Sequence, residues 1–342
     1  MIKLNNLSSN VSSVKHKGIA LITVMLIVSL CAIIAAQMTT RLHMQMQRST
    51  NISFNQQAYW YAMGAEAFAK RVLLTTVKED PDVINLSQIW SQGETSYPVE
   101  YGSITGKITD LQSCLNLNAL RSQDTITSSK GSTSKKSPAR EVLENLLIAL
   151  ELDDVGQFEA ESMADSLKDW LDADSRITSA GGAEDDDYAS REFPYLAANH
   201  FLASVHELRM IEHFNANIIN TLKPYVCVIP QVDMHKININ TVSDEHPELI
   251  KALLGVSLED AQAILSARPA EGFENVDDFF ALKEVSAAGI KDWQKDQFVV
   301  DSDYFMLKTT ASFNSSFYKM NSLIQIYDNK EAQVITRSVG YY

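Results

Sequence analysis

The polar–apolar pattern of this chain is dominated by one stretch, residues 19–36, where eighteen consecutive positions carry no charge and Thr23 and Ser29 supply the only hydroxyls. At ~1.5 Å per residue a helix of that length covers ~27 Å, enough to cross the hydrocarbon core of a bilayer. Lys15, His16 and Lys17 precede it, and Arg41 is the first charge after it. That asymmetry predicts a span over 19–40 with its N-terminus on the cytoplasmic side. Helix-compatible sequence then runs on to about Val77, with no Gly or Pro before Gly64. Tyr59, Met63, Ala67 and Val72 share one helical face, which predicts that this half packs on a globular core.

Downstream the period changes. Residues 97–110 alternate around Gly102 and Gly106 and read as a strand or hairpin. Residues 304–313, 317–327 and 332–339 alternate again, with Asn314-Ser315-Ser316 and Asp328-Asn329 as turns, and predict an antiparallel meander. Between these β parts the apolar spacing at 139–151, 158–171, 204–213 and 216–222 is helical. Ser204 and Glu207 form a capping box before one of these helices. The Ser-, Thr- and Lys-rich stretch 121–138 reads as a solvated loop. The fold class expected is therefore α+β: a long N-terminal helix on an antiparallel sheet, with a large all-α insertion.

The start of the chain admits three readings: a cleaved secretory signal, a single-pass anchor, or a leader cut on the cytoplasmic side before a retained helix. A cleaved secretory leader seldom continues into a long helix, and no Ala-x-Ala site followed by a turn-rich start is visible. Lys17-Gly18 before an apolar run and an extended helix resembles the type IV prepilin pattern, in which the cut falls between Gly18 and Ile19. Thr23 stands fifth after that cut, where most subunits of that class carry Glu to pair with a neighbour's terminal amine inside the lipid. A buried carboxylate without such a partner is costly, so an uncharged residue suits a tip subunit.

Composition narrows the function. The net charge of −14 over 342 residues argues against nucleic acid as the main partner. Cys31 lies within the apolar helix, and Cys114 and Cys227 fall on the exported side. There the two are a candidate disulfide, with two free thiols as the alternative. The stretch 151–187 holds thirteen acids opposed only by Lys168 and Arg176. Asp165, Asp169 and Asp172 recur at helical spacing, Asp174 follows, and Glu184, Asp185, Asp186 and Asp187 come from a returning loop. Hard oxygen ligands gathered this way suit Ca²⁺; the alternative is a solvated acidic face. Arg176 and Ala183 occupy positions that exclude an EF-hand.

Residues 236–242 (KININTV), 253–265 and 272–279 resemble a helix-hairpin-helix module of the kind carried by anchored DNA receptors. Such a hairpin needs Gly-x-Gly and nearby cations to meet phosphate. Here only Gly255 remains, and 241–300 carries twelve acids against five bases, so the hairpin reads as a packing or protein-contact element. His200, His206 and His213 lack the partners of a zinc site, and neither a phosphate loop nor a Gly-x-Ser-x-Gly turn is present. No enzyme is expected.

The segments KGIALITVMLIVSL, QAYWYAMGAEAFAKRVL, ITGKITDLQSCLNLNAL, DSLKDWLDADS, GAEDDDY, PYLAANHFLASVHELRMI, LKPYVCVIP, KININTV and SARPAEGFENVDDFF together resemble the K-class minor pseudopilin of type II secretion systems. The resemblance covers essentially the whole length. It implies a leader at 1–18, a transmembrane helix at 19–40, a periplasmic helix with the first pilin-like strands at 41–117, a helical insertion at 118–300 and closing strands at 301–342. It also implies an inner-membrane protein with its globular part in the periplasm, capping the tip of a filament that exports folded proteins. The implied partners are the I- and J-class minor pseudopilins, the major pseudopilin, the prepilin peptidase and secreted substrates. A subunit of another type IV filament machine is the alternative. Thr23, Tyr59 and Met63 are the candidate residues for the interface with the pseudopilin partners. Calcium is associated with this class in the region of Asp172, Asp174 and Glu184 to Asp187.

Overall fold

A computed structural model of the protein describes residues 18–122, 125–126, 134–290, 292–328 and 330–340. The leader before Gly18 and residues 123–124 and 127–133 of the solvated loop at 121–138 lie outside the described residues. Helix α1 is a continuous 61-residue α-helix, Ile19–Glu79. The chain divides into a unit ending at Gln57 and a compact unit from Ala58 onward. Within the first unit the helix is exposed from Ile19 to Ser53, including Leu26 and Ile33, and only Phe54 and Gln57 are half-buried. Thr23 donates its hydroxyl to the Ala20 carbonyl at 2.9 Å, so this position satisfies itself within its own helix.

In the second unit α1 buries Ala58, Ala62, Glu66, Ala69, Leu73, Thr76 and Val77. The buried face is thus one position earlier than the size of the side chains suggests. Ala67 is exposed, and Tyr59 and Met63 are half-buried flanks. The cause is close approach: Ala62 packs directly on Ala311 and Met320, which larger side chains would prevent.

The sheet beneath α1 has five strands, β1 Thr95–Val99, β2 Gly102–Asp110, β3 Tyr304–Phe313, β4 Ser316–Tyr327 and β5 Glu331–Val339. They lie in sequence order, every neighbour antiparallel. The β1–β2 turn falls at Glu100 and Tyr101, the latter with φ 58°, rather than at Gly102. Gly102 is instead a close-approach residue: a Cβ there would lie 2.0 Å from the Ser312 carbonyl oxygen. Ala69, Leu73, Val77, Trp90, Phe305, Leu307, Ile324 and Ile326 form the core between α1 and the sheet.

The chain leaves the sheet after Asp110 and returns at Tyr304. The insertion carries α2 Pro138–Ala149, α3 Gln157–Leu171, α4 Asp185–Ala189, α5 Ala216–Leu222, α6 Glu248–Leu254 and α7 Leu258–Ser266, with shorter turns after them. Its core is led by Leu143, Leu147, Met163, Leu167, Tyr188 and Leu253. The segment expected as a helix at 204–213 is a 3₁₀ helix, Val205–Met210, yet its capping box is present. The helix-hairpin-helix element is α6, Gly255 at φ 69° and α7. Ser257 caps α7, its hydroxyl accepting from the Asp260 amide at 3.1 Å and donating to the Asp260 carboxylate at 2.8 Å. Cys114 and Cys227 are disulfide-bonded with their Cα atoms 5.8 Å apart, and they pack beside Leu111, Ile229, Tyr304 and Leu323.

Candidate metal centre and assembly face

Asp165 and Asp169 on α3, Asp172 at its C-cap and Asp174 just beyond it each meet a different fate. Asp165 is neutralised: it pairs with Arg140 and accepts from Ser179. Arg140 also bridges to Glu144 at 3.1 Å, and Lys136 reaches Glu144 at 2.6 Å. Asp169 Oδ1 accepts from the Thr178 amide at 2.9 Å and from its hydroxyl. Its other oxygen is buried without a hydrogen-bond partner. Asp172 caps the helix end, its Oδ1 accepting from the Asp174 amide at 3.2 Å, and Asp174 in turn accepts from the Arg176 amide at 2.9 Å. These successive Asx turns fold the chain back over α3, as acids at a helix terminus favour.

The return strand of the loop is set by two glycines. A Cβ at Gly182 would lie 2.0 Å from Asp169 Oδ2, and one at Gly181 2.3 Å from the Ser162 hydroxyl. This tight passage delivers Glu184 onto the end of α3. Asp172, Asp174 and Glu184 each offer a carboxylate oxygen within 4.8 Å of the others. Both Glu184 oxygens are buried and lack hydrogen-bond partners.

The electrostatics match the geometry. Burial, then the charges of Asp169, Asp172 and Asp185, pushes Glu184 up to about 7. Burial, with Asp172 and Asp165 adding repulsion, pushes Asp169 up to about 6 despite its bonds to Thr178. Asp172 is raised by burial and by Asp174. Crowded, unpartnered buried carboxylates are costly unless a cation joins them. The donor set is oxygen only and opens toward solvent at Asp174, which fits a hard cation such as Ca²⁺.

Of the six acids expected as ligands, the structure brings these three together. Asp185, Asp186 and Asp187 do not join them, because α4 begins at Asp185 and its helical phase turns them aside. Asp185 accepts from the Ala197 amide at 3.0 Å, Asp187 accepts from the Glu184 amide at 3.0 Å, and Asp186 is exposed. The histidines do not converge: His206 Nδ1 lies 3.1 Å from the Ser204 hydroxyl, His213 Nε2 lies 3.1 Å from the Gly181 carbonyl, and His200 meets Phe201 edge to face.

The outer face of α1 differs from the inner one. Trp60 is 63% and Phe68 56% exposed, with Gly64 between them at one-turn spacing. Beside them an apolar groove of roughly 350 Å³ runs between α1 and the β1–β2 hairpin, lined by Ala65, Phe68, Val72, Trp90, Tyr97 and Ile104 among others.

Residues 113–231 and 237–301 match two family models, both described as type II secretion system, protein K. A type II secretion system protein K of Aeromonas hydrophila is 40% identical over 76% of this chain and 78% of its own length. Another, from Dickeya chrysanthemi, is 32% identical over 96% and 98%. The chain belongs to the type II secretion protein K family. Its members are the K-class minor pseudopilins, structural components of a secretion system rather than a known enzyme class. A solved structure, the GspK-GspI-GspJ complex from enterotoxigenic Escherichia coli, matches with a TM-score of 0.75 at 32% identity, covering 86% of this chain and all of the matched one.

In this K-class chain one charge pair escapes sequence reasoning. Glu66, only 2% exposed on the inner face of α1, accepts two hydrogen bonds from Arg337 on β5 at 2.7 and 2.8 Å and one from Ser322 on β4 at 2.7 Å. Burial would raise this carboxyl, but the bonds from Arg337 and Ser322 outweigh it and hold it below its ordinary value. The pairing residues stand 256 and 271 positions away, and nothing local signals them.

Proposed function

We propose that the protein is a minor pseudopilin at the tip of the type II secretion pseudopilus. In this reading it is anchored in the bacterial inner membrane by residues 19–40, with its globular unit in the periplasm, and it assembles with I- and J-class subunits and supports export of folded proteins. The observation that carries this is the likeness, over the whole solved chain, to a protein whose structure is that of a K–I–J complex. Two features of this chain support the tip. Thr23 offers no carboxylate to a neighbour, and the insertion between β2 and β3 enlarges the head beyond what a repeating filament body accommodates.

Partners dock, in this reading, on the outer face of α1. Tyr59 and Met63 lean on the chain's own sheet, Tyr59 at 5.3 Å from the Tyr318 ring, so the exposed Trp60 and Phe68 are the better probes. Trp60→Glu with Phe68→Glu should leave the melting temperature of the full-length protein within about a degree, since exposed sites cost little. The same variant should weaken the complex with the I- and J-class subunits by about tenfold or more. An unchanged complex would remove this face from the interface.

The acidic cluster takes Ca²⁺ as a structural ion, with Asp172, Asp174 and Glu184 as its ligands. Binding to the native state alone stabilises by mass action, by about 2.7 kcal/mol at a hundredfold excess over Kd. Thermal melts of the full-length protein in detergent should therefore rise with Ca²⁺ and fall with chelator. Mg²⁺ should substitute poorly, since it demands a tighter octahedral site. Glu184→Gln should abolish the increment and Asp186→Asn should keep it. A melting temperature indifferent to millimolar Ca²⁺ would leave a solvated acidic face.

A further inference from the structure

The KININTV segment has a task that neither the filament nor the metal site uses. It lies where the helical insertion meets the sheet, and its polar side chains are buried: Asn238 is 0%, Asn240 1% and Thr241 5% exposed. Thr241 bonds one carboxylate directly and Asn238 reaches it through Ser302, while Asn240 holds the Phe273 backbone instead. Asp110, the last residue of β2 and itself buried, accepts from the Thr241 hydroxyl at 2.6 Å and from the Ser302 hydroxyl at 2.6 Å through Oδ2. Its Oδ1 accepts from the Gln112 amide at 2.7 Å.

A second ring of bonds closes around this node. Asn238 Nδ2 donates to the Ser302 hydroxyl at 2.8 Å and to the Ile84 carbonyl at 3.0 Å. The Asn238 amide donates to the Gln112 carbonyl at 2.7 Å, and the Gln112 side chain accepts from the Asp303 amide at 2.7 Å. The Ile84 amide donates to the Val300 carbonyl at 2.8 Å. Four pieces of chain therefore meet around Asp110 and Asn238: the end of β2, the segment that leads into β3, the KININTV turn, and the loop that follows α1.

We propose that Asp110 is a clasp that couples the helical insertion to the sheet and α1, so that the two parts of the head unfold and move as one body. A buried polar network fully supplied with partners specifies one arrangement, whereas a partly broken one is costly. The geometry has this character, because each Asp110 oxygen is engaged and its donors come from separate segments. Burial pushes the carboxyl up to about 6 against the bonds from Ser302 and Thr241. A neutral side chain of the same shape should thus be accepted, since rotating hydroxyls can donate or accept. A subunit that carries load from its anchoring helix to a bulky head needs such a junction to be stiff.

Scanning calorimetry and hydrogen exchange on the full-length protein in detergent test this. The unaltered protein should melt in one transition. Asp110→Ala should split it into two, with the amides of Gln112, Asn238 and Asp303 exchanging about tenfold faster or more while those inside α2 and α3 keep their protection. Asp110→Asn should retain one transition. The double variant Thr241→Val with Ser302→Ala should split like Asp110→Ala, and it decides the matter if Asp110→Ala does not fold. A single transition in the double variant, or splitting in Asp110→Asn equal to that in Asp110→Ala, would overturn the clasp.

Discussion

A Gly18→Val chain should accumulate in the membrane uncut and fail to join any filament, while the unaltered chain yields a terminus at Ile19. The effect is expected to be all or none. Helix α1 begins at Ile19, and Gly18 contributes only its carbonyl, accepting from the Ile22 amide at 3.4 Å. The Gly18–Ile19 peptide thus lies at the helix boundary, and a Cβ at Gly18 would meet nothing within 4 Å. The valine would be harmless to the chain itself, so any block arises in the peptidase, which must draw the backbone close; glycine permits that approach and a β-branched residue opposes it. Insertion should be unaffected, because the apolar run is untouched. N-terminal sequencing and mass measurement of membrane-purified protein read the result, including N-methylation of Ile19. A native terminus after Ala36, or retention of Met1, would sink the prepilin-type reading.

Cys227→Ser should cost about 2–4 kcal/mol, and a reductant should have the same effect on the unaltered protein. The bond joins residues 113 positions apart, so it removes much freedom from the unfolded chain. It also ties the segment leaving β2 to the strand pair in which Leu115 lies beside Val226 and Asn116 beside Cys227. At this size each kcal/mol moves the midpoint by roughly 2–4 °C, so a fall of several degrees is expected. Cys31→Ser is the control, since Cys31 is free and exposed on α1. Equal melting temperatures with and without reductant would show that the bond contributes nothing. Such bonds persist in oxidising compartments, which agrees with a globular unit in the periplasm.

How much of this could be read from the residues depended on range. The strand Tyr304–Phe313 and the helix Ala216–Leu222 were legible to the residue, because their periods are local. The face that α1 turns to the sheet was missed by one position. Hydrophobic size pointed to Tyr59 and Met63, whereas close packing selects Ala58 and Ala62. Asp172, Asp174 and Glu184 could be named as a cluster because a short loop joins them. Asp186 and Asp187 could not be set aside, since only the start of α4 at Asp185 fixes their direction. Glu66 and Asp110 find their partners across the insertion, and no pattern along the chain encodes that.

The tip assignment is tested most directly by counting. The full-length protein in detergent is mixed with the I- and J-class subunits and examined by mass photometry or sedimentation, and its copies along an assembled filament are counted by labelling. The account predicts a monomer alone, one copy in a stoichiometric complex with both partners, and one labelled position at a filament end. Self-polymerisation of the isolated protein, or label at regular intervals along the filament, would contradict it.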